Sequence, residues 1–375
     1  MKIWYYTLMP WPYQYGEIPY PFPGGMFERD RAQGLYAAYL DLFRRADELG
    51  FDGIALAEHH YTKVGTAPSP NLLAAVVATH THHVKIGLLG NCLPLHGHPV
   101  RLAEELAMID VLSGGRLMAG FIRGGGREYH AFGVDIAEGR AMFEEAWELI
   151  VKAWTDPEPF AWHSAHYRYD VVSIVPRPLQ QPHPPVLAAG TTAETLEWAA
   201  QHHAPLLMGF GTTQQIKDGI AYYRGYAEEK CGWKPGPEDV GLIGPTYVSN
   251  SDASAREEAE EAMRVHHEEL VLLTSGGPLR AFTQQRLSER SYAYRSAPGR
   301  EPGVTAETPD YETLARERYY VGSPDTVTQR ILDKQKEFGI GFFAAITPFG
   351  NMEPPQALRS VELFAKEVLP HLQSG

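Results

Sequence analysis

Three stretches of the 375-residue sequence carry side chains able to move protons or hold anions. The first is "LAEHHYTKVG" at 56–65, where Glu58, His59 and His60 follow an apolar run, "FDGIA". An imidazole titrates near neutral pH, so a histidine at a cavity edge can serve as general base or hydrogen-bond donor. The plainer alternative is that both histidines cap a strand and bond to neighbours. Successive side chains of an extended chain point to opposite sides, so one of the two is expected to face a cavity. The second stretch is "GFIRGGGREYHAFG" at 120–133. Gly124, Gly125 and Gly126 let backbone approach a ligand closely. Arg123 and Arg127 offer planar guanidinium groups to a phosphate or carboxylate. A plain glycine-rich turn is the alternative. The third stretch is "AAGTTAETLEWAA" at 188–200, a strand end at Gly190 followed by hydroxyls at a helix start. Thr192 and Thr195 can both reach an anion there, while an ordinary N-cap at Thr192 explains the same residues. With Arg123, the pattern suggests one phosphate held between two strand-end loops.

Histidine clusters also raise a metal reading. His80, His82 and His83 fall near one helix end, and His202 and His203 near another, where the negative end of a helix favours them. No pair has the H-E-x-x-H spacing of a zinc site. Metal catalysis is therefore set aside.

These side chains need elements to carry them. Strand patterns "KIWYYTLM", "FDGIALAE", "VKIGLLGNCLPL", "RLMAGFIRG", "VLAAG", "PLLMGF", "VGLIGPTYVS" and "FFAAITPF" alternate with amphipathic helices. Pro99 opens one helix and Gly114 stops it. Such alternation predicts parallel strands with right-handed crossovers, and eight units favour a closed (β/α)8 barrel. In that architecture the C-terminal strand ends form the active rim, where Glu58, Arg123 and Gly190 all fall. One domain, 1–375, is expected. It carries an insertion with a short hairpin at about 158–184 and a candidate lid at about 273–317, where the rhythm breaks. "ASAREEAEEAMRVHHEEL" reads as the start of the seventh barrel helix. Trp11, Tyr13, Tyr15, Tyr20 and Phe22 either line a pocket or pack an irregular loop.

Composition narrows the partners. Lys and Arg total 33 against 46 Asp and Glu, a net charge of −13. That balance disfavours nucleic acid and anionic membrane surfaces. The two cysteines, Cys92 and Cys231, lack zinc spacing and suit a reducing compartment. The N-terminal "MKIWYYTLMPWPYQYG" lacks the pattern of a signal peptide, and no apolar run reaches about 18 residues. A soluble cytoplasmic protein is expected.

Taken in order, "FDGIALAEHHYT", "VKIGLLGNCLPL", "HPVRLAEELAMIDVLSGGRLMAGFIRGGGREYHAFG" and "VLAAGTTAETLEWAA" resemble the bacterial luciferase-like flavin monooxygenases. The resemblance covers nearly the whole chain and is weakest from about 271 to 320. It implies a (β/α)8 TIM barrel with insertions that binds FMN at the C-terminal rim. By position it places Arg123, Thr192 and Thr195 on the FMN phosphate, with Ala189, Gly190 and Thr191 beside them. Leu89 and Gly90 match a pair that the family often joins by a cis peptide beneath the isoalloxazine. Asn91 and Tyr129 complete the implied cofactor set. Glu58 would sit close to the flavin ring, and His59 matches the histidine implicated in the chemistry. The implied reaction uses FMNH2 from a separate NAD(P)H:flavin reductase. Its O2 adduct, a flavin C4a-(hydro)peroxide, inserts one oxygen atom into a small organic substrate. A homodimer is the family expectation. Luciferase carries a reactive cysteine just before the arginine of the fourth strand. Ile122 stands there in this chain, which weakens any expectation of light emission. Two other readings stay open: an F420-dependent oxidoreductase that moves hydride, and a non-catalytic flavin-binding barrel.

Overall fold

A computed structural model describes residues 1–13, 21–124, 126–275 and 308–373, with backbone alone at 126, 127 and 271–275. Eight parallel strands close into a barrel: β1 (Lys2–Tyr6), β2 (Gly53–Leu56), β3 (Lys85–Leu88), β4 (Leu117–Ile122), β5 (Val186–Ala189), β6 (Leu206–Met208), β7 (Val240–Val248) and β8 (Phe342–Ile346). Each pairs with the next in chain order, and β8 pairs back onto β1. β2 and β7 are buried at every position. They have helices outside and packed side chains inside, so they read as unbroken apolar runs.

Large rings fill the interior where neighbouring strands offer none. Trp4 on β1 lies over Gly53 and Gly87, and a Cβ at Gly53 would sit 2.5 Å from the indole. Phe342 on β8 fills the space over Gly241 and meets Trp4 at 6.2 Å between ring centroids. Burying one Trp removes on the order of 200 Å² from water, worth about 5 kcal/mol. This core, packed rather than hollow, is the floor on which the rim stands.

Local signals start and stop the outer helices. Ser69 accepts from the Leu72 N–H ahead of Pro70–His80. Ser323 accepts from the Thr326 N–H ahead of Pro324–Phe338, and Gly339 ends that helix in the left-handed region. These are the Ser-Pro start and Gly stop that helix physics favours. In the insertion after β4, Phe160–His163 and Arg168–Val172 form an antiparallel hairpin. Trp11 is fully buried against Tyr13 and Phe27, so it packs its loop. Tyr15 and Tyr20 lie outside the described residues.

One sequence assignment is corrected. Helix Asp252–Ser275, which contains "ASAREEAEEAMRVHHEEL", is not the seventh barrel crossover. The last three residues of β7 pair with the short strand Tyr320–Gly322, and Pro324–Phe338 then leads to β8. Amphipathic periodicity shows that a helix forms but not which surface it covers. This one leans on the C-terminal rim. His266 meets Phe349 beyond β8 at 5.6 Å between rings. Glu269 pairs with Lys63 beyond β2 at 3.3 Å. Within the segment expected to be irregular at 273–317, residues 273–275 complete this helix and Tyr311–Glu317 form another. Residues 276–307 lie outside the described residues.

The Lys63 and Glu269 side chains are 0% and 1% exposed, and burial pushes the Glu269 carboxyl up to about 7 even though the Lys63 ammonium beside it pulls it down. Removing one partner strands a buried charge, whereas replacing both by apolar groups removes the need for either. Lys63→Met should cost about 3–5 kcal/mol in chemical denaturation. The double change Lys63→Met with Glu269→Leu should cost clearly less than the single one.

Candidate functional site

β2 to β5 lie side by side, and their registers bring four strand ends to one quadrant of the mouth. Leu56 on β2 is level with Leu88 on β3. The short extension Asn91–Cys92 is level with Phe121 and Ile122 of β4. Phe121 is level with Ala188 of β5. Glu58, Gly90, Arg123 and Gly190 each follow one of these positions by two residues, so they emerge together.

Glu58 anchors the quadrant. Its side chain is 3% exposed. His60 Nε2 donates to Oε1 at 2.8 Å, and the Cys92 backbone N–H donates to Oε2 at 3.0 Å. His96 Nε2 reaches Oε2 at 3.3 Å. Burial alone would raise the carboxyl, but the bonds from His60, His96 and the Cys92 N–H outweigh it and hold it down to about 2. Glu58 is therefore an anion at neutral pH and fixes two imidazoles.

The expectation that one of the two adjacent histidines faces a cavity rested on strand alternation. β2 ends at Leu56, so 57–60 is irregular and the alternation of a strand does not apply. Both rings meet the short helix Gly126–Phe132. His59 Nδ1 lies 3.6 Å from Glu128 Oε1, and the His60 ring packs edge-on to Phe132 at 4.7 Å.

The β3 end is tight. Leu89 and Gly90 are joined by a cis peptide. A Cβ on Gly90 would stand 2.7 Å from the Gly120 carbonyl, so only glycine lets the strands close here. Next to it, Asn91 is fully buried, and neither its amide nitrogen nor its oxygen has a hydrogen-bond partner among the described residues. A buried amide left unpaired costs about 1–3 kcal/mol, so this one calls for a ligand with both donor and acceptor edges.

At β4, the Arg123 carbonyl accepts twice: from the Cys92 thiol at 3.1 Å and from the Tyr129 hydroxyl at 2.6 Å. Burial pushes both groups well up, with Glu58 and Glu128 adding to the effect at Cys92. Both therefore stay neutral donors. Gly124 has a φ of +86° and sits against the Cys92 sulfur, which leaves no room for a side chain. The Arg123 backbone is thus pinned while its half-buried guanidinium is free to meet a ligand. Gly125 and the Arg127 side chain lie outside the described residues.

At β5, Thr192 caps helix Ala193–Gln201 by accepting from the Thr195 N–H. The two threonine hydroxyls are 3.0 Å apart. Gly190 has a φ of +152°, and a Cβ there would press on the Thr195 methyl at 3.0 Å. Ala189 and Gly190 are half-buried and Thr191 is exposed. The capping reading is thus realised, and the same hydroxyls and helix start remain suited to an anion.

Sequence reasoning did not find Glu128, His96 or Phe132. His96 stands in "HGH", outside the three stretches singled out in the sequence. Glu128 had no signal, because it depends on where a seven-residue helix docks.

A family model described as luciferase-like monooxygenase matches residues 23–340. The alkanal monooxygenase alpha chain of Photorhabdus luminescens is 33% identical over 190 residues, covering 50% of this chain and 52% of that one. The oxygenase component of the flavin-dependent trigonelline monooxygenase of Acinetobacter baylyi is 30% identical over 235 residues, covering 60% and 63%. The chain spans about half the length of the first of these curated relatives and somewhat more of the second. The crystal structure of monooxygenase RslO1 from Streptomyces bottropensis superposes with a TM-score of 0.74 at 27% identity, covering 99% of both chains. Among the described residues, no helix is long and apolar enough to cross a membrane.

The depressed carboxyl of Glu58 makes a pH prediction. A carboxyl whose folded pKa is lowered stabilises the fold above its unfolded pKa, and the gain is lost as pH falls through the folded one. For Glu58 the window runs from the ordinary 4.5 down to about 2. Such a shift is worth roughly 3 kcal/mol. The difference in unfolding free energy between the wild type and Glu58→Gln should be constant above about pH 5 and shrink towards pH 2.

Proposed function

Because the chain belongs to the luciferase-like monooxygenase family, we propose that it is the oxygenase of a two-component system. It takes FMNH2 from a separate NAD(P)H:flavin reductase and inserts one atom of O2 into a small organic substrate. One observation carries this reading. A single quadrant of the rim combines an arginine and helix-start hydroxyls suited to an anion, a buried amide without a partner among the described residues and a histidine held beside a carboxylate.

Reduced flavin, when bound, supplies the electrons that activate dioxygen. The chain's own residues bind, orient and shield. The Arg123 guanidinium and the hydroxyls of Thr191, Thr192 and Thr195 would hold the phosphate. The start of helix Ala193–Gln201 adds its positive end. Asn91 would answer the polar edge of the ring system. Leu89 and Gly90 would form the floor beneath it, with Ala189, Gly190 and Tyr129 around it. Glu58 acts through its partners: as a fixed anion it holds His60, His96 and the β3 end in place. His59 would exchange a proton with substrate or reacting oxygen at Nε2. Helix Asp252–Ser275 would help exclude water on the opposite side of the mouth.

The two relatives are named for an alkanal and for trigonelline, so a small carbonyl or heteroaromatic compound is the class to test. The test is anaerobic titration with FMNH2, then rapid mixing with O2 and a substrate panel of aldehydes, ketones and N-heterocycles. Arg123→Ala should weaken FMNH2 binding by roughly 10–100-fold, the worth of a charge-assisted hydrogen bond. His59→Ala should leave FMNH2 affinity within about threefold and lower product yield by at least about tenfold. Binding of F420 with no affinity for FMNH2 would replace this reading by hydride transfer.

A further inference from the structure

Helix Gly126–Phe132 docks on the histidine loop through two side chains four residues apart. Glu128 and Phe132 share one helix face, and they meet His59 and His60 respectively. Between them, Tyr129 is 2% exposed and fastens the helix to the Arg123 carbonyl. The Glu128 carboxylate is therefore placed by its neighbour's anchor rather than left to swing. Its side chain is 17% exposed and that of His59 is 26%, so water screens the pair only in part.

We infer that Glu128 is the positioning residue for His59. The 3.6 Å approach of Glu128 Oε1 to His59 Nδ1 favours the tautomer with the proton on Nδ1. Nε2 is then left as the lone-pair nitrogen, ready to take a proton. The separation suits an ion pair and is long for a hydrogen bond; such contacts commonly tighten when a ligand fills the site. The inference rests on the oxygenase reading for what His59 does, but not for how His59 is held. His60 serves as an internal contrast. Its Nε2 is committed to Glu58, so it presents the opposite nitrogen. Two adjacent histidines are thus set in opposite tautomers by two carboxylates, and only His59 keeps Nε2 open.

The test has a readout that needs no flavin. Nitrogen-15 spectra of histidine-labelled protein, at a pH where imidazoles are neutral, report which ring nitrogen carries the proton. His59→Ala assigns the signals. Wild type should show His59 protonated at Nδ1. Glu128→Ala should shift it towards the mixture of a free imidazole, and Glu128→Gln, whose amide oxygen still accepts, should restore it. With FMNH2 and O2 in single turnover, Glu128→Ala should slow reoxidation or product formation by roughly 10–100-fold with flavin affinity within about threefold. The double variant with His59→Ala should be no slower than His59→Ala alone. An unchanged His59 tautomer in Glu128→Ala, or effects of the two variants that multiply, would overturn the inference. If wild type fails to bind FMNH2 while the tautomer still responds to Glu128→Ala, the oxygenase reading falls and the pairing stands.

Discussion

An anion buried to 3% exposure governs the geometry of this rim. Among the described residues, no lysine or arginine pairs with Glu58. Two imidazoles and one backbone N–H satisfy its oxygens instead. These donors come from the β2 loop, the β3 extension and the segment leading into helix Pro99–Ser113. One carboxylate thereby joins three separate turns of the chain. A buried carboxylate is stable only while every donor keeps its place. The requirement acts in reverse as well, since the donors are ordered because the anion is there. The floor formed by Leu89, Gly90 and Asn91 and the loop carrying His59 are fixed relative to each other by this shared dependence.

The barrel and its rim were largely legible in the sequence, for physical reasons that can be named. Doubly covered strands must be apolar throughout, so β2, β7 and β8 announce themselves. Glycines that admit a neighbour's ring or backbone, such as Gly53, Gly90 and Gly124, stand out by type alone. The Thr192 cap was written in residues three apart. What stayed illegible depended on tertiary docking. Asp252–Ser275 was visible as a helix, but periodicity could not say that it covers the rim. The start and stop signals at Ser323, Pro324 and Gly339 were present, yet went unread because the seventh helix had already been assigned upstream. The irregularity just past Leu56 spoiled the argument about His59 and His60, since a strand's alternation ends with the strand. Glu128 could not be found at all without knowing where its helix lands.

Cys92 is the buried free cysteine of this rim. It lies in register with Ile122, the position where luciferase carries its reactive cysteine. Here the thiol is on the adjacent strand, buried, neutral and donating to the Arg123 carbonyl. It braces the backbone of the strand end that carries Arg123, which a reactive thiolate in that place would serve badly.

The pairing of Tyr320–Gly322 with the end of β7 has an evolutionary consequence. It returns the chain to the barrel before the crossover Pro324–Phe338 begins, so helices Asp252–Ser275 and Tyr311–Glu317 stand ahead of that return. Near its start, helix Asp252–Ser275 is tied to the barrel: Glu258 accepts from the Tyr247 hydroxyl of β7, and Asp252 accepts from the Ser323 N–H and the Thr326 hydroxyl where the crossover begins. Further along, Glu269 meets Lys63 of the histidine loop. Substitutions can therefore accumulate on the helix's remaining surface while these ties and the floor are held constant. A lineage built this way can change what it admits without relearning how to fold.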